Sequence, residues 1–280
     1  MAEIIEFPEG LYRGRDLPQA DRSIEENSLG TGWYDFDRLF KFYEGQFVVI
    51  TGKPGAGKSM FMLNVITKMA LEQKICSFMY VPENERYLLR KLRGIWQGSD
   101  QAYDYFLDHQ LWIQASNREG RYRHTMKFVL DRARITVDKW GVRIILIDPW
   151  NELDRARKPD QSMTDYIGEC IGEIKDFVRK WHVSVVVVAH PTKAIVYDGE
   201  RVPTLYDIEG SANWVNKADN GLIIHNERKQ NRIRIISAKV REAPGGGKEG
   251  DCYFTMDDRG IYRPTEEINH ERYRSSAGAD

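Results

Sequence analysis

Residues 46–59 read Gln46-Phe47-Val48-Val49-Ile50-Thr51-Gly52-Lys53-Pro54-Gly55-Ala56-Gly57-Lys58-Ser59, and this stretch decides the fold. Gln46–Thr51 reads as a buried strand, because its aromatic and β-branched run lacks the polar alternation of a half-exposed one. A glycine-rich loop follows, and a helix is predicted from about Ser59. The loop matches the pattern Gly-x4-Gly-Lys-Ser/Thr. Glycines at 52, 55 and 57 let successive backbone N–H groups turn inward around an anion. The helix behind them adds the partial positive charge of its N-terminus. Strand, glycine loop and helix in this order form the context in which the pattern binds phosphate. Lys58 then supplies a point charge to the β and γ phosphates, and the Ser59 hydroxyl a ligand for Mg²⁺. The expected contacts to ATP are Gly52, Lys53, Pro54, Gly55, Ala56, Gly57, Lys58, Ser59 and, one residue on, Met60.

Further apolar runs repeat the strand pattern at Ile75–Val81, Val142–Asp148 and Val183–Ala189. Helical stripes lie between them, over 121–140 and 164–182, and Ser162 with Asp165 predicts a capping box at the start of the second. After residue 220 the pattern changes to short strands joined by turns: Gly221–Asn226, Asn231–Lys239, Cys252–Asp257 and Gly260–Pro264. The prediction is an α/β fold with a mostly parallel central sheet, helices on both faces and a C-terminal antiparallel extension. Residues 1–28 read as an arm, 29–265 as one domain and 266–280 as a polar tail. Trp33 and Trp214 fall in loop contexts with no site to serve.

The 41 Lys and Arg against 42 Asp and Glu give a formal net charge of −1 over 280 residues. That excludes a generally basic nucleic-acid coat and an acidic disordered chain, but leaves room for a locally basic groove. Cys76, Cys170 and Cys252 are odd in number and widely spaced, so they read as reduced thiols, not disulfides or zinc ligands. No signal peptide or membrane span is visible, and a cytoplasmic location is expected.

A magnesium-side carboxylate belongs at the end of another buried strand, and Asp148 after Ile144-Ile145-Leu146-Ile147 has that place. Pro149 follows, so the group that activates water comes from elsewhere. Glu83, at the carboxyl edge of the second strand, and Glu152, four residues past Asp148, both qualify.

From about Leu29 to Thr265 the chain resembles the RecA-like motor domain of ring-shaped replicative DNA helicases, superfamily 4. The resemblance runs through Thr31-Gly32-Trp33, the phosphate loop, Val81-Pro82-Glu83-Asn84, Asp148-Pro149-Trp150-Asn151-Glu152 and Ala189-His190-Pro191-Thr192-Lys193. The DnaB-type, phage primase-helicase and Twinkle groups share these motifs, and the phage and Twinkle branch is the most similar. The resemblance implies that Glu83 is the catalytic glutamate and His190 the γ-phosphate sensor. It implies that Lys193 and the segment Gly210-Ser211 line a DNA channel. The family carries a basic residue near that glycine, where this chain has Glu209. In Ser237-Ala238-Lys239-Val240-Arg241 it implies that Lys239 and Arg241 reach the ATP of the neighbouring subunit.

The resemblance thus implies a hexameric ring that hydrolyses ATP with Mg²⁺ at subunit interfaces and moves 5′→3′ on single-stranded DNA to unwind duplex. A separate primase or other replisome proteins would be its partners, in a bacterial or phage-infected cell. No primase-like region precedes the domain, so no primer synthesis is expected of this chain. A recombinase-type or regulatory nucleotide-gated DNA-binding ATPase, without unwinding, is the alternative, because the RecA-like core is common to both.

Overall fold

A computed structural model of the chain describes residue 24 and residues 27–82, 85–115, 123–197 and 201–265. In chain order its elements are α1 (Tyr34–Asp37), β1 (Phe47–Thr51), α2 (Lys58–Gln73), β2 (Ser77–Tyr80), α3 (Glu85–Ile95), α4 (Asp100–His109) and β3 (Leu111–Gln114). There follow α5 (Met126–Trp140), β4 (Ile144–Ile147), α6 (Met163–Trp181), β5 (Ser184–Val188), α7 (Lys193–Tyr197) and α8 (Ser211–Lys217). The chain then continues through β6 (Asn220–Glu227), β7 (Arg232–Val240), β8 (Gly250–Met256) and β9 (Tyr262–Pro264).

All the strands join one sheet in the order β3-β2-β4-β5-β1-β6-β7-β8-β9. From β3 to β6 neighbours run parallel, and from β6 to β9 antiparallel. Strand β1 sits at the centre, with Phe47–Ile50 paired to Val185–Val188 on one edge and Val48–Thr51 paired to Asn220–Ile223 on the other. Its side chains alternate between two cores, Val48 and Ile50 into one, Phe47 and Val49 into the other. Double-sided burial is why the strand reads as a continuous apolar run. The expected α/β architecture with its antiparallel extension is present.

Three elements between residues 85 and 114 go beyond the sequence reading. Helix α3 buries Leu88, Leu92 and Ile95 among charged neighbours, a stripe too sparse to stand out. Helix α4 starts at Ser99, whose Oγ accepts from the Ala102 N–H at 3.2 Å. Strand β3 is a four-residue edge, buried only at Leu111. The helix expected over 121–140 begins instead at Met126, capped by Thr125 Oγ1, which accepts from Phe128 N–H at 3.2 Å. Ser162 caps α6 as expected, accepting from the Asp165 N–H at 3.0 Å.

Trp33 does lie in a loop, at the N-cap of α1, whereas Trp214 lies inside α8, which corrects its expected loop context, and both are core residues. Trp33 stacks on Phe61 at 5.7 Å and meets the edge of Phe254 at 5.0 Å. Trp214 is fully buried, edge-on to Trp150 at 5.3 Å, and its Nε1–H donates to the Glu209 carbonyl at 2.9 Å. Neither was recognisable because both pack across the fold onto residues far away in sequence.

The antiparallel extension curls over α2. Asn64 on that helix donates through Nδ2 to the Gly260 carbonyl at 2.9 Å and accepts through Oδ1 from the Tyr262 N–H at 3.0 Å. No helix among the described residues is long and apolar enough to cross a membrane. The three cysteines are free, and burial raises each thiol pKa above its ordinary value.

Trp214→Ala removes a fully buried indole from a packed aromatic group and should cost about 3–5 kcal/mol of stability. Denaturant unfolding of the variant against the parent measures it.

Candidate active site

Residues 52–57 connect the end of β1 to the start of α2, so the loop emerges from the centre of the sheet's carboxyl edge. Gly52 has φ +152°, and a Cβ there would meet the Ile224 carbonyl oxygen of β6 at 2.2 Å. Gly57, at the N-cap of α2, has φ +100°. Its carbonyl accepts from the Tyr262 hydroxyl at 3.1 Å, so the last strand holds the loop from outside. Lys58 is buried, and its ammonium donates to the carbonyls of Gly52 at 2.8 Å and Lys53 at 3.0 Å. Burial lowers its pKa to about 8, with the Asp148 carboxylate opposing the shift.

Two cavities flank the loop. One of about 340 Å³ is lined by Ser59, Lys91, Asp148, Glu152 and His190 among others. The second, about 610 Å³, lies between Lys53–Ala56 and the turn from β6 to β7, where His225, Glu227, Arg228 and Lys229 stand. Ser59 from α2 and Asp148, just past β4, thus line one cavity. Hydroxyl and carboxylate oxygens are hard ligands suited to Mg²⁺, which keeps waters and phosphate oxygens for its other positions. Among the described residues no group of three or more His, Cys, Asp or Glu could hold a metal alone. A two-oxygen protein contribution fits a metal that arrives with a nucleotide.

His190 lies in the same cavity, just past β5. Its backbone N–H donates to Asn151 Oδ1 at 3.3 Å, while its Nδ1 is buried without a partner among the described residues. Burial, and then the nearby Lys58 charge, lower its pKa, which favours neutral imidazole. Such a ring can meet a phosphate oxygen without a further fixed charge. Glu83 lies outside the described residues, although Pro82 before it lines the cavity. Glu152 lines it as well. Lys91 on α3 was missed, because its helix was not anticipated.

The two loops expected to face DNA are joined. Pro191 forms a β-bridge with Ile208, and the Thr192 N–H donates to the Asp207 carbonyl at 2.8 Å. Lys193 opens α7 and is exposed. Gly210, at φ +72°, caps α8, which begins at Ser211. The Glu209 carboxylate pairs with Arg155 at 3.6 Å. Arg155 therefore offsets the acidic residue at this loop.

Lys239 and Arg241 lie elsewhere. Val240 pairs with Asn220, and Asn220 with Val48. Arg241 then donates its backbone N–H to the Asp219 carbonyl at 2.9 Å, level with the start of β1. At about 3.3 Å per residue that is roughly 13 Å back along the sheet from the phosphate loop. The Lys239 ammonium donates to the Val215 carbonyl, and Arg241 Nη2 to that of Asn216 at 2.7 Å. Both basic groups therefore hold the C-terminal end of α8. Burial, and then Arg241, lower the Lys239 pKa. Asp219, buried beside Arg241, gave no sequence signal: it is a single acid before a strand.

Phosphate loop, strand-end carboxylate and strand-end histidine on a mixed sheet define a RecA-like domain. The model of the DnaB-like helicase C-terminal domain matches residues 28–249. The chain belongs to that family. It is 32% identical over 257 residues to the Twinkle homolog protein, chloroplastic/mitochondrial, of Arabidopsis thaliana, covering 83% of this chain and 36% of that protein. It is 20% identical over 250 residues to the replicative DNA helicase DnaC of Bacillus subtilis strain 168, covering 81% and 55%. The chain thus spans about a third to a half of these relatives. A solved ATPase domain superposes with a TM-score of 0.71 at 18% identity, over 85% of this chain and 91% of that one. A DnaB-like replicative helicase, solved in a study of its interactions with primase, gives 0.69 at 18% identity, over 84% and 61%.

The two glycines most exposed to test are 52 and 55. At Gly55, φ +73°, a Cβ meets nothing within 4 Å, so Gly55→Ala should cost only the backbone strain of about 1–2 kcal/mol. Gly52→Ala adds a collision with the β6 backbone and should destabilise further, by about 1–3 kcal/mol, and weaken binding of a fluorescent ATP analogue more. Thermal denaturation and titration compare the two.

Proposed function

We propose that the chain is an ATP-dependent DNA helicase motor that works as a ring, with each ATP held by one subunit and completed by the next. One observation carries this reading: Arg241 sits at the opposite end of β1 from its own phosphate loop, held at the Asp219 backbone. A guanidinium placed there cannot reach its own subunit's phosphates, but an adjacent copy can be served by it. Membership of a helicase family supports the same reading.

In the proposed reaction, Lys58 and the loop N–H groups bind the β and γ phosphates. Ser59 and Asp148 hold Mg²⁺, which when bound neutralises phosphate charge. Glu83 takes a proton from water as the water oxygen bonds to the γ phosphorus. The bond from that phosphorus to the β–γ bridging oxygen breaks, and ADP and phosphate result. His190 contacts the γ-phosphate and, through the Pro191–Ile208 bridge, is continuous with both DNA loops. Arg241 and Lys239 of the neighbouring subunit stabilise charge on the transferred group, a role worth 10³–10⁵ in rate in other NTPases. Lys193, Gly210 and Ser211 contact the phosphates of single-stranded DNA. Identical copies concentrate a few inward charges, so a net charge of −1 per subunit is compatible with strand binding on assembly. We place this chain with a separate primase as partner, and 5′→3′ as its direction.

Strand displacement on forked DNA carrying a 5′ or a 3′ tail tests the reading. Unwinding should require ATP and the 5′ tail, and Lys58→Ala should abolish both hydrolysis and unwinding. Glu83→Gln should lower hydrolysis by about 10²–10⁴-fold with ATP binding retained, whereas Glu152→Gln should not. The reverse result would give the base to Glu152. DNA-stimulated hydrolysis without unwinding on either tail would instead identify a nucleotide-gated DNA scaffold.

A further inference from the structure

Asp219 is 4% exposed, and it stands between the last residue of α8 and the first of β6. Its carboxylate does three things at once. Both oxygens accept from the Lys175 ammonium of α6, at 2.7 and 2.6 Å. Oδ2 also accepts from the Phe47 N–H at 2.9 Å, the first peptide of β1. Oδ1 lies 3.3 Å from Arg241 Nε. A buried carboxylate needs this much compensation to remain charged. The arrangement ties three elements to one point.

Arg241 gains a defined orientation from it. Its Nε faces the Asp219 carboxylate, its Nη2 donates to the Asn216 carbonyl at 2.7 Å and lies 3.4 Å from that of Ala218, and its own N–H is held by the Asp219 carbonyl. Lys239 holds the Val215 carbonyl one turn away. These carbonyls end the helix that Gly210 begins. The side chain is still about half exposed. A long flexible side chain loses rate when it must be ordered during the reaction, and a fixed partner removes that loss.

We infer that Asp219 is the positioning residue for Arg241: it holds the guanidinium, together with the C-terminal carbonyls of α8, in the orientation presented to the neighbouring subunit. This rests on the trans role proposed for Arg241 above. Asp219 touches no nucleotide itself. A defect in it should therefore appear at the neighbour's site and leave the subunit's own ATP binding intact.

Mixing of variants tests this. Asp219→Asn alone should bind ATP with near-parental affinity and hydrolyse it about a hundred-fold more slowly, the loss typical of a group misplaced by about 1 Å. Mixed with Lys58→Ala, which cannot use its own site but carries an intact Arg241, it should regain hydrolysis. The Asp219→Asn subunits then contribute the nucleotide site and the Lys58→Ala subunits the guanidinium. Arg241→Ala mixed with Lys58→Ala is the reference. If the Arg241→Ala mixture recovers and the Asp219→Asn mixture does not, Asp219 is merely structural and the inference is overturned. Normal hydrolysis by Asp219→Asn overturns it as well. If the Arg241→Ala mixture itself fails to recover, the trans reading beneath the inference is what falls. Asp219→Asn leaves the partly buried Lys175 ammonium without its charge partner. The double variant Asp219→Asn, Lys175→Gln removes that burden, and it should show the same loss and the same recovery.

Discussion

Strand β1 is hydrogen-bonded on both edges and buried on both faces, so the direction in which Thr51 leaves the sheet is fixed. The phosphate loop inherits that direction. Gly52 passes against the β6 backbone so closely that no side chain fits, and Gly57 turns into α2 under the Tyr262 hydroxyl. A glycine-rich loop would be a poor anion site if it could relax. Here the sheet bears the cost of keeping it open, because slipping β1 by one residue would send Phe47 and Val49 into the wrong core.

The same strand also fixes what lies at its other end. Asp219 binds the Phe47 N–H, and Arg241 is attached beside it. Five residues of β1 therefore act as a spacer between an anion site and a cationic group. In the proposed ring, a head-to-tail neighbour would close a distance that one subunit cannot. Such heterologous contacts produce closed rings when the rotation per subunit permits. On the proposed trans role of Arg241, assembly and chemistry are linked by the length of a strand. On that proposal, conformational change in one site is felt in the next without any long pathway.

Much of this was legible in the sequence because it depends on local chemistry. The phosphate loop needs glycines at set spacing, and the buried parallel strands need unbroken β-branched runs, so both leave a pattern within a few residues. Asp148 could be placed because a carboxylate after an apolar strand falls at the carboxyl edge by topology alone. Trp214 and Asp219 could not. Their meaning lies in partners such as Trp150, Lys175 and Phe47, which come from other parts of the chain, and a single residue carries no record of its distant neighbours. Helix α3 was hidden for another reason. It buries only a narrow stripe and otherwise meets solvent, so its charged residues outweigh its periodicity.

Asn64 and Gly57 both find their partners in Tyr262 and Gly260, some two hundred residues downstream. The turn that holds phosphate is thus made near the start of the domain and braced by its final strand. During synthesis, α2 leaves the ribosome long before the residues that lock it. The braces from Gly260 and Tyr262 can form only once β9 has emerged, so a chain cut before it carries the phosphate-loop sequence without them. The N-terminal half of α2 thus depends for its bracing on residues translated some two hundred positions later.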